Sequence, residues 1–105
     1  MDKHITQLHP SGCAIACIAK ALNLSYSGVL RKVKNGKSLA SFRGFYCKDV
    51  VRIMAAFGKQ SDFFYVSKKV RRQIYKDGSI VFIKRDKRYP QGHYLCRTKN
   101  LWMDP

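Results

Sequence analysis

Residues 7–19 decide the fold, with the sequence Gln7-Leu-His-Pro-Ser-Gly-Cys13-Ala-Ile-Ala-Cys-Ile-Ala. From Cys13 onward the segment is almost wholly apolar, and isoleucine and leucine recur at the spacing of a helix. Alanine and cysteine make the opposite face apolar too, so that Lys20 is the one residue that interrupts the apolar surface of the helix. The pattern predicts a helix that is buried on most sides, begins at Ser11 or the following glycine, ends at Leu22 and has Ser11 as its cap.

Cys13 would lie at the N-terminal end of this helix. A thiol there feels the positive end of the helix dipole, which favours the thiolate. Gln7, six positions earlier, is placed to offer an amide donor beside the sulfur. The segment therefore predicts one half of an active site with a cysteine nucleophile.

The rest of the chain predicts helices first and a sheet afterwards, which is an α+β fold in one domain over residues 1–105. The nucleophile helix would be central, with the helices packed on a C-terminal antiparallel sheet. Two further helices are expected at 26–33 and 47–57, with a loop at 37–44 between them. A strand at 62–66 and a basic helix at 67–75, capped by Ser67, would precede strands at 79–84, 93–98 and 101–103.

The last two strands bring a histidine and an aspartate together. A tight turn at residues 99–100 would place Asp104 roughly opposite positions 94–95, near His93. The carboxylate could then accept the proton of one imidazole nitrogen and orient the ring, so that His93 acts as the base for Cys13. Gln7 and the backbone N–H of Cys13 would form the oxyanion hole.

Three segments together resemble a known family. The spacing from Gln7 to Cys13 is that of the papain-like cysteine peptidases. Within that superfamily, the Gln-x₅-Cys-Ala-Ile-Ala-Cys-Ile-Ala segment, Gly92-His-Tyr-Leu95 and Trp102-Met-Asp-Pro105 are similar to motifs of the bacteriocin-leader-processing, or double-glycine, peptidase domains.

The resemblance implies a minimal papain-like fold and a cysteine peptidase that acts on a peptide or protein. It implies that Cys13, His93, Asp104 and Gln7 are the nucleophile, the base, the orienting residue and the oxyanion donor. We expect no cofactor and no metal in such a site. Deamidase or isopeptidase chemistry would use the same residues and stays open.

The charge balance points to anionic partners. Lys and Arg number 21 against six acidic residues, all of them aspartate, for a net charge of +15. Such a charge favours nucleic acid or an acidic protein, although a solubilising surface would have the same composition. The runs Lys68–Arg72 and Lys84–Arg88, close to aromatic residues, allow an alternative in which the chain is a basic binding module with no catalysis.

The cysteine count and the chain start predict the compartment. The chain begins with no apolar signal-peptide core, and its longest apolar run is too short to cross a bilayer. We therefore expect a cytoplasmic protein with four reduced cysteines. The remaining alternative is a zinc site, built from Cys13, Cys17, His93 and Cys96.

Overall fold

Helices occupy the first half of the chain and a small sheet its end. The structure is a computed structural model that describes residues 4–63, 74–83, 92–98 and 101–105. The helices are α1 (Cys13–Leu22), α2 (Tyr26–Lys32), α3 (Gly36–Ser38) and α4 (Cys47–Ala56), with a π-helical turn at Leu39–Arg43 after α3. The strands are β1 (Ile80–Ile83), β2 (His93–Thr98) and β3 (Leu101–Met103). The predicted α+β class is confirmed.

Helix α1 is the centre of the core, as predicted. Its residues 13–19 are all buried, and it packs against α2, α4 and the sheet, chiefly along β2. It ends at Leu22 because Asn23 adopts a left-handed conformation (φ 58°). The predicted cap was wrong: Gly12 occupies the N-cap position, and Ser11 instead donates its backbone N–H to the carbonyl of Ala40, at 2.6 Å.

The sheet is an antiparallel meander in the order β1-β2-β3. Cys96 is paired with Met103 and Thr98 with Leu101, so continuing the register places Asp104 opposite Leu95. Side chains at positions 93 and 95 share one face of a strand. His93 and Asp104 are therefore diagonal neighbours on one face, which is the arrangement that the sequence predicts.

The segment expected to be a loop at 37–44 is instead helical. Asn35 turns the chain through a left-handed conformation (φ 57°), and α3 and the π-helical turn follow. Ala40, within that turn, is fully buried, and its carbonyl accepts the Ser11 bond. The segment is held by this burial, a tertiary effect that local sequence does not carry.

Two expected elements fall mostly outside the described residues. Of the strand expected at 62–66, only residues 62–63 are described, and they are not in a strand. Of the basic helix expected at 67–75, only residues 74–75 are described, in a 3₁₀ turn, and its proposed cap Ser67 lies outside. The basic runs 68–72 and 84–88 also lie outside the described residues.

No single helix in the described segments has the length and apolar character needed to cross a membrane. Helices α1 and α2 would meet those criteria only as a pair, and they are bent by 109° relative to each other.

Candidate active site

His93 and Asp104 form a direct contact at the open end of the β2–β3 pair. The imidazole Nε2 lies 2.7 Å from the carboxylate Oδ1, although the two residues are 11 positions apart. The His93 side chain is buried, whereas the Asp104 side chain is 60% exposed. Because the carboxylate accepts the Nε2 proton, it fixes the tautomer in which Nδ1 is the basic ring nitrogen.

Cys13 lies at the first position of α1 and beside the same strand. Its sulfur receives backbone N–H groups from Tyr94, from Ala14 and from Cys13 itself, and each lowers its pKa. The first N–H groups of a helix have no partner within the helix, which explains two of these donors. Tyr94 follows His93 directly, so Cys13 lies beside the end of β2 that carries His93.

Burial outweighs these donors. It raises the pKa of the Cys13 thiol above its ordinary value, and the nearby Asp104 carboxylate adds a smaller rise. The helix terminus therefore acts in the direction that the sequence predicts, but burial has the larger effect on the pKa of Cys13. Only 8% of the Cys13 surface is exposed, so the thiolate is poorly solvated. The backbone N–H groups at the helix end offset only part of that loss of solvation free energy.

Gln7 lies beside the site, but its amide is engaged with the chain around it. Nε2 donates to the carbonyls of His9 and Pro10, both at 3.0 Å. Its backbone N–H donates to the carbonyl of Pro105, at 3.4 Å, which ties the N-terminal segment to the residue after Asp104. In this conformation the Gln7 amide orders the segment that leads to Cys13, and it would have to release a carbonyl to donate to an oxyanion.

A glycine precedes Cys13 and another precedes His93, and an aromatic side chain packs against each glycine. A Cβ at Gly12 would collide with the hydroxyl of Tyr26. A Cβ at Gly92 would collide with the ring of Phe82 and lie 3.0 Å from the carbonyl of Ile83, and Gly92 also has φ +83°. These two approaches fix the backbone immediately before Cys13 and before His93.

The other three cysteines have different surroundings. Cys17 and Cys96 are fully buried in the core, and Cys47 is half-buried, with its sulfur 3.8 Å from the hydroxyl of Tyr94. Burial raises the pKa of Cys96 to about 11 and raises that of Cys17 further. Within the described segments, no group of three or more His, Cys, Asp or Glu side chains is arranged to hold a metal ion, so the zinc alternative gains no support.

Sequence reasoning missed three aromatic and histidine side chains around Cys13. Tyr26 and His9 pack below the Cys13 segment, with the Tyr26 hydroxyl 3.0 Å from His9 Nδ1. Tyr94 donates its hydroxyl to the carbonyl of Phe45 at 2.7 Å, which anchors the strand beside the segment before α4. The adjacent Gly12 was the only local signal, since a glycine before a helix can mark a close approach.

An exposed aromatic and basic surface follows the buried Ala40. It consists of Phe42, Arg43, Tyr46 and Lys48, and we call it the 42–48 surface. Phe42 is 78% exposed. Arg43 and Lys48 lie over the Tyr46 ring, at 4.8 and 5.9 Å from its centroid. Asp49 pairs with Arg43 and with Arg52, each at 2.9 Å, so cations outnumber carboxylates there.

Comparison with known proteins assigns this chain to no family. A scan of protein-family models and searches of curated proteins and of solved structures found no match to the chain. The papain-like family suggested by the sequence motifs stays a prediction.

Proposed function

We propose that this chain is a papain-like cysteine hydrolase, a peptidase in which Cys13 is the nucleophile, His93 the base and Asp104 the orienting residue. The observation that carries the proposal is the 2.7 Å contact between His93 and Asp104, on a strand whose next residue donates its N–H to the Cys13 sulfur. A nucleophile, a base and an orienting group in one place are what thiol acyl transfer requires.

The reaction begins from a thiol. Since burial raises the pKa of Cys13, the sulfur keeps its proton until Nδ1 of His93 removes it during attack on the substrate carbonyl. The carbonyl carbon forms a bond to sulfur, and its oxygen becomes an oxyanion. His93 returns the proton to the leaving amine, the thioester remains on Cys13, and water activated by His93 releases the acid. Deamidation and isopeptide cleavage follow the same steps with a different amine.

The oxyanion donors are the backbone N–H of Cys13 and the amide of Gln7. The N–H already points to the sulfur region, as its effect on the thiol pKa indicates. Gln7 supplies its donor by exchanging its bond to His9 or Pro10 for one to the oxyanion. Removal of one such donor typically lowers the rate about 10²–10³-fold.

The proposed substrate is a peptide or protein with acidic residues. The net charge of +15 attracts such chains, and the 42–48 surface offers cations and exposed rings. That surface is joined to the site on both sides, through the Ala40–Ser11 bond and through the bond from Tyr94 to Phe45.

Site-resolved alkylation tests the proposal. We expect limiting iodoacetamide, applied from pH 6 to pH 9 and followed by peptide mass spectrometry, to modify Cys13 faster than Cys17 and Cys96. His93→Gln should slow the modification of Cys13 and leave that of the half-buried Cys47 unchanged, which makes Cys47 an internal control. Equal slow labelling of all four cysteines, or a Cys13 rate that is independent of His93, would sink the proposal.

Turnover requires a second measurement. A mixture of synthetic peptides with acidic and neutral sequences, incubated with the protein and analysed by mass spectrometry, should contain products that are absent with Cys13→Ala. Products with one added water at a backbone bond identify a peptidase, whereas a gain of one mass unit at glutamine or asparagine identifies a deamidase.

A binding module is the second candidate, because the 42–48 surface combines exposed rings with cations. Such surfaces stack bases and contact phosphates. Fluorescence anisotropy with a labelled dT12 oligonucleotide, measured from 50 to 300 mM salt, separates the candidates. Tight binding that weakens steeply with salt, is unchanged by Cys13→Ala and is reduced by Arg43→Ala together with Lys48→Ala would favour the binding module.

A further inference from the structure

A second histidine, His9, forms a pair with the buried Tyr26 beside the residues that lead into Cys13. The rings of His9 and Tyr26 are stacked, with centroids 5.8 Å apart and planes inclined by 19°. The Tyr26 hydroxyl is 3.0 Å from His9 Nδ1. Backbone N–H groups of Leu8 and His9 also lie near the hydroxyl, and each lowers the pKa of Tyr26.

The Tyr26 hydroxyl also contacts the backbone next to the nucleophile. It occupies the space that a side chain at position 12 would need, so its oxygen lies against the Cα of Gly12. Tyr26 is almost fully buried, and burial raises its pKa, with a smaller rise from Cys13. One hydroxyl therefore joins α2, residues 8–9 and the peptide that enters α1.

The same few residues hold Gln7. The His9 carbonyl accepts the Gln7 amide at 3.0 Å and also the Gly12 N–H at 3.0 Å. A displacement of His9 would therefore move the Gln7 amide and the Gly12–Cys13 peptide together, and these carry the two proposed oxyanion donors.

We propose that His9 and Tyr26 are positioning residues for the oxyanion hole of the Cys13 site. They touch neither the sulfur nor the substrate. They hold the 7–12 backbone so that the N–H of Cys13 and the amide of Gln7 converge on the place where the carbonyl oxygen becomes negative. The inference rests on the proposed hydrolase function and adds two residues that the Cys13, His93 and Asp104 set does not contain.

Two electrophiles that react with the same sulfur distinguish this positioning role from a general effect on folding. Acylation by p-nitrophenyl acetate joins the acetyl carbon to Cys13 sulfur through an oxyanion and releases p-nitrophenolate. Alkylation by iodoacetamide forms a carbon–sulfur bond with loss of iodide and makes no oxyanion. Donors to an oxyanion accelerate only the first reaction.

Tyr26→Phe removes the hydroxyl and keeps the ring in the core. We expect the p-nitrophenolate burst rate to fall by about 10-fold or more, while Cys13 alkylation changes by less than about twofold. His9→Leu should have the same selective effect, and His9→Asn, which keeps an acceptor at the δ position, should restore most of the burst. Tyr75→Phe, which removes the hydroxyl of an exposed tyrosine, is the matched control and should change neither rate.

The outcomes separate the two proposals. If wild-type Cys13 is acylated in a His93-dependent manner and Tyr26→Phe matches it, the positioning role is wrong and the hydrolase proposal stands. A parallel fall in acylation and alkylation also overturns the positioning role, because it shows general disorder of the site. If wild-type Cys13 is not acylated at all, the hydrolase proposal fails and this inference fails with it.

Discussion

The Nε2 of His93 and the Oδ1 of Asp104 lie 2.7 Å apart, although one side chain is buried and the other is mostly in solvent. The buried imidazole is thus oriented by a carboxylate that remains hydrated. The carboxylate acts on His93 through geometry and charge together.

Two substitutions separate the effect of the Asp104 charge from the effect of its hydrogen bond to His93. Asp104→Asn keeps an oxygen that can accept the Nε2 proton but removes the charge, whereas Asp104→Ala removes both. We expect Cys13 acylation by p-nitrophenyl acetate to fall in the order Asp, Asn, Ala, with a total loss within the range of about 10²–10⁴ that general acid–base catalysis contributes. Equal rates for Asp104→Ala and wild type would contradict the orienting role.

Gly92 should tolerate alanine less well than another glycine of similar conformation. Gly92 and Gly78 have φ of +83° and +87°. A Cβ at Gly92 would meet the Phe82 ring, whereas no atom of the described residues lies within 4 Å of a Cβ at Gly78. Gly78→Ala therefore measures the backbone strain alone, about 1 kcal/mol. We expect Gly92→Ala to lower the free energy of unfolding by about 1–3 kcal/mol more in urea titration.

Phe82→Leu should recover part of this loss in the Gly92→Ala background, because it removes ring atoms and leaves the φ strain. Equal destabilisation by the two glycine substitutions would show that the ring does not constrain Gly92.

The close approach at Gly12 predicts a coupled pair of substitutions. Gly12→Ala introduces a methyl group where the Tyr26 hydroxyl lies, and the next ring atom is 3.2 Å from that position. Gly12→Ala should be destabilising by about 1–3 kcal/mol, and adding Tyr26→Phe should restore part of the loss. The double-mutant cycle is measured by urea unfolding, and strictly additive effects would contradict the contact.

Alkaline pH should destabilise the fold through its buried thiols. A cysteine in the unfolded chain ionises near its ordinary pKa of 9.0, whereas burial keeps Cys17 protonated in the fold and raises the pKa of Cys96 to about 11. The folded state then binds more protons than the unfolded state. The free energy of unfolding should fall above pH 9, by about 1.4 kcal/mol per pH unit for each such group.

Urea unfolding at pH 8 and pH 10, with a reductant present, measures this slope. Cys17→Ala removes one of these groups. It should make the fall in unfolding free energy shallower by about 1.4 kcal/mol per pH unit, whatever it does to stability at pH 8. An unchanged slope in Cys17→Ala would contradict the buried-thiol explanation.

Local patterns predicted much of the fold and the pairing of His93 with Asp104. Helices α1 and α4 and the three strands lie within one or two residues of their expected bounds, because apolar periodicity and glycine or asparagine ends are local signals. The pairing was predicted from the two residues that separate β2 from β3, since register in a hairpin is set by the length of its turn. The helical segment at 36–43 was missed, because burial of Ala40 and its bond to Ser11 are long-range.

The sequence by itself determined which residues can be proposed for catalysis: a cysteine that begins an apolar helix, and a histidine and an aspartate on neighbouring strands. Only the tertiary structure decided their state. Burial among α2, α4 and the sheet sets the Cys13 pKa above its ordinary value, against the helix terminus. The bonds of Gln7 to His9 and Pro10, and the contact of Tyr26 with Gly12, depend on how the segments pack. Solvation and close contact are properties of the folded surroundings, and no local pattern encodes them.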